Sequence, residues 1–203
     1  MSSHPVLPVL DHLAGVIGAT PLGQDPAPTP CTDLDVVSLR RHLLGEVRYF
    51  TIVLADPHGD RRPDPRAYTG PAETEALVSA IGELSAAVRA ALAGGVETLP
   101  VRVPALGGTF PGGYVLSMLV AEVVVHGWDI ARAIDQTWRP GPAVVEQAHA
   151  LLTDQIKPEY RGGAGMPFAP EVSVSPNAPA LNRLLGFAGR SPHWTPSPLA
   201  VTD

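Results

Sequence analysis

A glutamate and a histidine four residues apart, Glu122 and His126, lie inside the most apolar stretch of this chain. In a helix, residues at i and i+4 share one face, so the two side chains point in the same direction. A buried carboxylate without a partner is very costly, so the apolar surroundings of Glu122 require compensation. A carboxylate and an imidazole that converge in an apolar wall suit a divalent metal ion. The pair therefore predicts a metal site.

A third ligand is predicted at His42, in a second segment with helical periodicity. Its apolar residues recur at intervals of three and four: Val36, Leu39, Leu43, Val47, Phe50 and Leu54. A single histidine at the edge of such a stripe is more often structural. The Glu122 and His126 pair favours a ligand here, because zinc sites commonly use three protein ligands and keep a fourth position open. Glu46 either orients His42 or is a solvated neighbour on the same face.

Asp129 follows Glu122 by seven residues and lies on roughly the same helical face. It is a candidate to hold the ring N–H of a metal-bound histidine, outside the ligand set itself. A pairing with Arg132, or a cap on a neighbouring helix, is equally compatible with its position. We therefore predict that His42, Glu122 and His126 act in catalysis through the metal, with Asp129 in a supporting role. Cys31, the single cysteine, follows a proline-rich linker and is not predicted to be catalytic.

The stretch from Gly113 to Ile134 must position two of the three predicted ligands. Its 22 residues contain no proline and have almost no polar face, which predicts a buried helix. The valine run favours a strand, but strands rarely exceed about 10 residues, so its length favours a helix. A membrane span is not predicted, because Glu122, His126, Asp129 and Arg132 fall within the run and no second span is evident.

The other predicted elements frame this central helix. Helices are expected at 6–17, at about 71–93, at 143–156 and at 181–187. A further helix, which carries His42, is expected to begin after an N-cap at Thr32, with Asp35 in its first turn. An extended or hairpin segment is expected in 97–108. The proline- and glycine-rich segment 157–179 is expected either to cover the site or to be a simple connection. These elements predict an all-α protein, a helix bundle with its site in the core.

Composition restricts the class of protein. The chain has 203 residues, of which 45% are hydrophobic and 17% charged, which fits one domain over 1–203 with a core of about 11–194 and a tail at 191–203. The net charge of −6 argues against a nucleic-acid partner. The N-terminus lacks the features of a signal peptide, so we expect a cytoplasmic protein. We expect a small-molecule substrate, and a monomer or homodimer.

Three stretches resemble a known family: PCTDLDVVSLRRHLLGE, AEVVVHGWDIARAIDQ and APALNRLLGFAGRSPHW. Together they are similar to the DinB/YfiT-like metal-binding superfamily, and within it to the mycothiol-dependent maleylpyruvate isomerase N-terminal domain group. The resemblance implies a four-helix bundle with a divalent metal at one end, usually zinc, with nickel or iron as alternatives. It implies His42, Glu122 and His126 as ligands, and mycothiol as a thiol cofactor whose pKa the metal would lower.

The chain departs from that group in two places. Leu34 stands where relatives usually carry a tryptophan, and the isomerase's second domain, which resembles a sterol carrier protein, has no counterpart beyond the APALNRLLG segment. The resemblance therefore does not extend to maleylpyruvate as the substrate. Three functions are compatible with the residues: a mycothiol-dependent S-transferase or isomerase acting on a small electrophilic metabolite, a thiol-independent lyase, cyclase or hydrolase, and a non-catalytic metal-binding protein. A fourth interpretation pairs Glu122 with His126 in the core without a metal.

Overall fold

The structure, a computed structural model, describes residues 4–162, 166 and 168–196. Within these residues the chain is mostly helical, with one small antiparallel sheet. The elements are α1 (Val6–Gly18), α2 (Val36–Ala55), α3 (Thr74–Ala93), β1 (Pro100–Val103), β2 (Gly108–Pro111), α4 (Gly112–Ala133), α5 (Pro142–Gln155) and α6 (Ala180–Phe187). Helix α1 packs against α3 and α4, α2 packs against the same two helices, and α5 lies between α4 and α6. The all-α prediction is thus largely correct, with the sheet as an addition.

Helix α4 is the core helix that the apolar run predicts. Most of its residues are buried, including Val123, Val124 and Val125, so the valine run forms helix rather than strand. Two glycines allow other parts of the chain to approach it closely. A Cβ on Gly112 would lie 2.0 Å from the carbonyl oxygen of Val96, and one on Gly127 would lie 2.4 Å from the ring of Trp138. The Trp138 ring therefore packs directly on the helix next to His126.

Two helices in the described chain are long and apolar enough to cross a membrane, α3 and α4. The expectation that the chain has no second helix long enough to span a membrane is therefore wrong. In α4, however, 72% of the apolar window is buried inside the protein, as in the core helix of a soluble protein. Two such helices are weak evidence and do not indicate a membrane protein.

Two predicted helix starts need correction. Asp35, rather than Thr32, caps α2, since its Oδ1 accepts the N–H of Ser38 at 2.8 Å. Residues 31–34 form a turn in which Leu34 donates to the Cys31 carbonyl, so Thr32 lies outside the helix. Pro71 also precedes its helix, because α3 begins only at Thr74.

The remaining elements follow the predictions closely. Strands β1 and β2 pair as an antiparallel hairpin, with Val101 opposite Phe110, but β2 runs to Pro111, beyond the segment 97–108 in which a hairpin was predicted. Segment 157–179 packs against α6, where Val172 donates to the Gly186 carbonyl and the Arg161 guanidinium lies over the Phe187 ring. Its residues at 163–165 and 167 lie outside the described chain. The described part of this segment therefore supports α6.

Candidate metal centre

The structure brings together the three side chains that the sequence predicts to be metal ligands. His42 comes from α2, and Glu122 and His126 from one face of α4. The Glu122 Oε1 atom lies 2.7 Å from His42 Nε2 and 3.4 Å from His126 Nε2. The two imidazole rings meet edge to face, with their centroids 4.9 Å apart. One ligand atom from each residue lies within 4.8 Å of the others.

This donor set fits a divalent metal ion. Two imidazole nitrogens and one carboxylate oxygen match the three protein ligands of zinc sites that keep a further position for water or substrate. The cluster also reaches solvent, because 24% of the Glu122 and His42 side chains and 13% of the His126 side chain are exposed. The centre is therefore in contact with solvent. The assignment of the three residues as ligands stays a prediction.

Glu122 is the electrostatic centre of the cluster. Burial alone would raise the pKa of its carboxyl group, but the charge of His126 and the hydrogen bond and charge of His42 outweigh it and lower that pKa to about 2. Burial likewise opposes the protonation of His42, yet the hydrogen bond and charge of Glu122 raise the pKa of His42 above its ordinary value. The carboxylate is therefore ionised near neutral pH and holds a proton on the His42 ring.

The opposite side of His126 is held by Asp129. The Asp129 Oδ2 atom lies 3.0 Å from His126 Nδ1, and the Asp129 side chain is completely buried. A carboxylate can only accept, so the ring nitrogen Nδ1 must carry the hydrogen. Asp129 does not pair with Arg132, which instead donates to the Trp194 carbonyl. The charged partner of Asp129 is Arg190, whose Nη2 lies 3.1 Å from Oδ2 of Asp129. This arrangement leaves His126 Nε2 facing Glu122.

Glu46 neither forms a hydrogen bond with His42 nor is fully exposed to solvent. It is half-buried on α2, and no hydrogen bond joins it to His42 among the described residues. Burial, and next the charge of Glu122, raise the pKa of Glu46 to about 8, while His42 and Arg66 lower it in part. Arg66 belongs to a short 3-10 helix, Pro65–Ala67, that presses on α2 so closely that a Cβ on Gly45 would lie 2.3 Å from the Pro65 carbonyl oxygen. The His42 side of the centre thus borders a polar, partly exposed rim.

Two residues near the site were missed by sequence reasoning. Cys31 offers its sulfur within 4.8 Å of ligand atoms of His126 and Asp129. Burial raises the pKa of its thiol to about 11, so it is protonated near neutral pH, as expected for a cysteine that is not a nucleophile. Arg190 is the other; it lies in the stretch APALNRLLGFAGRSPHW, but no periodicity there connects it to the centre.

Five other histidines of the described chain lie outside the centre, and three of them serve for comparison. His12 is half-buried on α1 and stacks on Trp138, with ring centroids 4.5 Å apart. His58 is exposed in the loop after α2. His149 is half-buried, with its ring centroid 5.6 Å from that of Phe187. They therefore serve as comparison residues for the three predicted ligands.

Residues 8–131 match the family model described as the mycothiol maleylpyruvate isomerase N-terminal domain. The chain belongs to this family. The match includes His42, Glu122, His126 and Asp129, but ends before Arg190. Family membership implies a mycothiol-related, metal-binding domain of the DinB type.

The relatives show how far this similarity extends. The chain is 25% identical over 182 residues to uncharacterized proteins of Mycobacterium tuberculosis, strains CDC 1551 and H37Rv. The alignment covers 89% of this chain and 93% of each relative. No solved structure matches the chain significantly.

Proposed function

We propose that this protein is a divalent-metal-dependent enzyme that uses mycothiol, through a metal-activated thiolate, for S-transfer to or isomerisation of a small electrophilic metabolite. The observation that carries the proposal is the convergence of the partly exposed side chains of His42, Glu122 and His126, from α2 and the core helix α4. Membership in a family described by mycothiol and an isomerase supports the choice of thiol and reaction.

His42, Glu122 and His126 would hold the metal, which we propose is zinc, with nickel or iron as alternatives. A divalent metal bound there would act as a Lewis acid and lower the pKa of a thiol that binds beside it. The chain's own residues prepare the position. Glu122 remains ionised, and Asp129 holds Nδ1–H of His126 so that Nε2 is directed to the ligand position. To hold a metal through Nε2, His42 would have to release to solvent, or carry instead on Nδ1, the hydrogen that Nε2 donates to Glu122 in this structure.

The residues around the opening would govern what reaches the centre. Glu46, protonated near neutral pH, contributes a hydroxyl donor rather than a charge beside the anionic Glu122. The apolar wall of α4 would exclude water from the inner side of the bound thiol. We therefore place the electrophile on the His42 and Glu46 side.

The scaffold and setting belong to the same proposal. We infer a DinB-like four-helix bundle from α1 to α4, supported by the ring of contacts in which α1 and α2 each pack against both α3 and α4. We further propose a cytoplasmic monomer or homodimer with a small-molecule substrate and no nucleic-acid or membrane partner.

The proposal is tested first by the metal content of the purified protein, measured by elemental mass spectrometry. We expect one divalent metal ion per chain, lost in His42→Ala and in His126→Ala but retained in His58→Ala, whose side chain is exposed and outside the cluster. A protein that contains no metal and takes up none of zinc, nickel or iron would overturn the proposal.

A second measurement separates the thiol-dependent enzyme from the other metal-dependent functions. The cobalt-substituted protein is titrated with a low-molecular-weight thiol while its visible absorption is recorded. We expect the metal's spectrum to shift as the sulfur binds. No shift at millimolar thiol, in a protein that does bind cobalt, would favour a thiol-independent lyase, cyclase or hydrolase, or a metal without catalysis.

A further inference from the structure

A continuous line of contacts joins the C-terminal part of the chain to His126. Arg190 makes a two-point contact with Asp129, with Nη2 at 3.1 Å from Oδ2 and Nε at 3.4 Å from Oδ1. Asp129 in turn lies 3.0 Å from Nδ1 of His126. Only 11% of the Arg190 side chain and none of the Asp129 side chain is exposed, so water does not compete for these groups. The guanidinium and the imidazole thus share one carboxylate.

The end of α6 determines where Arg190 lies. The helix closes with a Schellman motif, in which Arg190 N–H donates to the Leu185 carbonyl and Gly189 N–H to the Gly186 carbonyl. Gly189 has the positive φ of 80° that this motif needs, and a Cβ there would lie 3.0 Å from the Pro170 carbonyl oxygen. The third guanidinium nitrogen, Nη1, donates to the Ala188 carbonyl at 2.7 Å. Backbone geometry and hydrogen bonds therefore fix the guanidinium.

A fixed guanidinium fixes the carboxylate, because a fork that binds both oxygens of Asp129 prevents the carboxylate from rotating about its side-chain bonds. The orientation of the carboxylate then decides which nitrogen of His126 carries the hydrogen. With Oδ2 facing Nδ1, Nδ1 carries a hydrogen, and Nε2 is the nitrogen that faces Glu122 and can bind a metal once it carries no hydrogen. A carboxylate released from Arg190 no longer imposes this tautomer or ring orientation.

We propose that Arg190 is a positioning residue, through which the C-terminal end of α6 sets the tautomer of His126 and thereby the metal affinity of the centre. The residue lies beyond the segment 8–131 that matches the family model. The inference about metal affinity rests on the proposed metal centre, whereas the inference about the His126 tautomer does not. The two parts can therefore be measured separately.

The tautomer is measured first, by ¹⁵N NMR of the histidine side chains in the metal-free protein. In the neutral imidazole form we expect a single tautomer at His126, with hydrogen on Nδ1, in the wild type and a mixture in Arg190→Gln. The control is Arg183→Gln, since Arg183 also belongs to α6 but contacts Ala178 and Glu146 instead of the centre. Arg190→Lys keeps the charge but loses the fork, so it should restore folding more than it restores the tautomer.

Zinc affinity is then measured by competition with a chelator. The loss of a residue that orients a metal ligand typically costs about 10- to 100-fold in affinity, and we expect that loss in Arg190→Gln, a smaller one in Arg190→Lys and none in Arg183→Gln. Circular dichroism checks that each variant is folded; if Arg190→Gln is not, Arg190→Lys supplies both measurements. Wild-type tautomer and zinc affinity in the folded Arg190 variants would overturn the inference. A wild type that binds no metal would instead contradict the proposed function, while the tautomer still tests Arg190.

Discussion

The two predicted histidine ligands face each other across Glu122 but are held in opposite ways. His126 lies on the core helix, with its Nδ1 bound to the buried Asp129 and its neighbour Gly127 in contact with Trp138. His42 has a side-chain hydrogen bond only to Glu122 among the described residues, and it borders the half-buried Glu46 and the exposed Arg66. One ligand is therefore positioned before a metal arrives, whereas the other is held by the very carboxylate that would share the metal.

This difference separates two tasks that a metal enzyme must combine. A ligand fixed by a network of hydrogen bonds holds the geometry of the metal site and retains the ion. A ligand at a polar rim can adjust as the coordination changes on binding a substrate. The His126 side would therefore govern stability and metal retention, and the His42 side would govern pH response and access.

The largest difference in stability between the two sides should appear when Asp129, beside His126, and Glu46, beside His42, are each replaced by alanine. Asp129→Ala leaves the buried Arg190 guanidinium without its partner, which typically costs about 3–5 kcal/mol in the free energy of unfolding. Glu46→Ala removes a half-buried group with no hydrogen bond to His42, and we expect a change within about 1 kcal/mol at neutral pH. Urea unfolding of the metal-free variants measures both changes. Equal losses in the free energy of unfolding in the two variants would show that the His126 and His42 sides do not differ in this way.

A smaller effect is expected from Gly127→Ala on the His126 side. The new Cβ would lie 2.4 Å from Cζ2 of Trp138, which is buried and donates to the Val124 carbonyl at 3.0 Å. Because the ring has no free space, we expect overpacking to cost about 1–3 kcal/mol of stability. Thermal unfolding measures the loss.

The matched control for that substitution is Gly82→Ala on α3. Gly82 is exposed, and a Cβ there meets nothing within 4 Å. The higher helix propensity of alanine should therefore stabilise this variant by up to about 1 kcal/mol. A Gly127→Ala protein as stable as Gly82→Ala would show that Trp138 does not restrain α4 beside His126.

The two sides also differ in how much of them the sequence could predict. Periodicity predicted α2 and placed His42 beside its apolar stripe, and the long apolar run predicted α4 with Glu122 and His126 on one face, because each of these signals lies within a short stretch of sequence. The choice of partner for Asp129 could not be made in this way, since Arg132 is a local neighbour and Arg190 lies 61 residues away. Cys31 reaches His126 through the same kind of long-range packing. The network behind His126 depends on how α6 and the 31–34 turn dock, which no local pattern encodes.

The sharpest test of the His42 side is the pH dependence that Glu46 confers. Its pKa is raised from about 4.5 to about 8 in the folded protein, so the folded state retains a proton that the unfolded state loses between these pH values. The stabilisation from this group is fully present below about pH 4.5 and is lost as the pH rises through 8. Relative to Glu46→Gln, the metal-free wild type should lose on the order of 1–2 kcal/mol across this window, a range that allows for partial exposure. Urea unfolding at pH 5, 7 and 8.5 gives the comparison, and parallel pH profiles for the two proteins would place Glu46 in free contact with solvent.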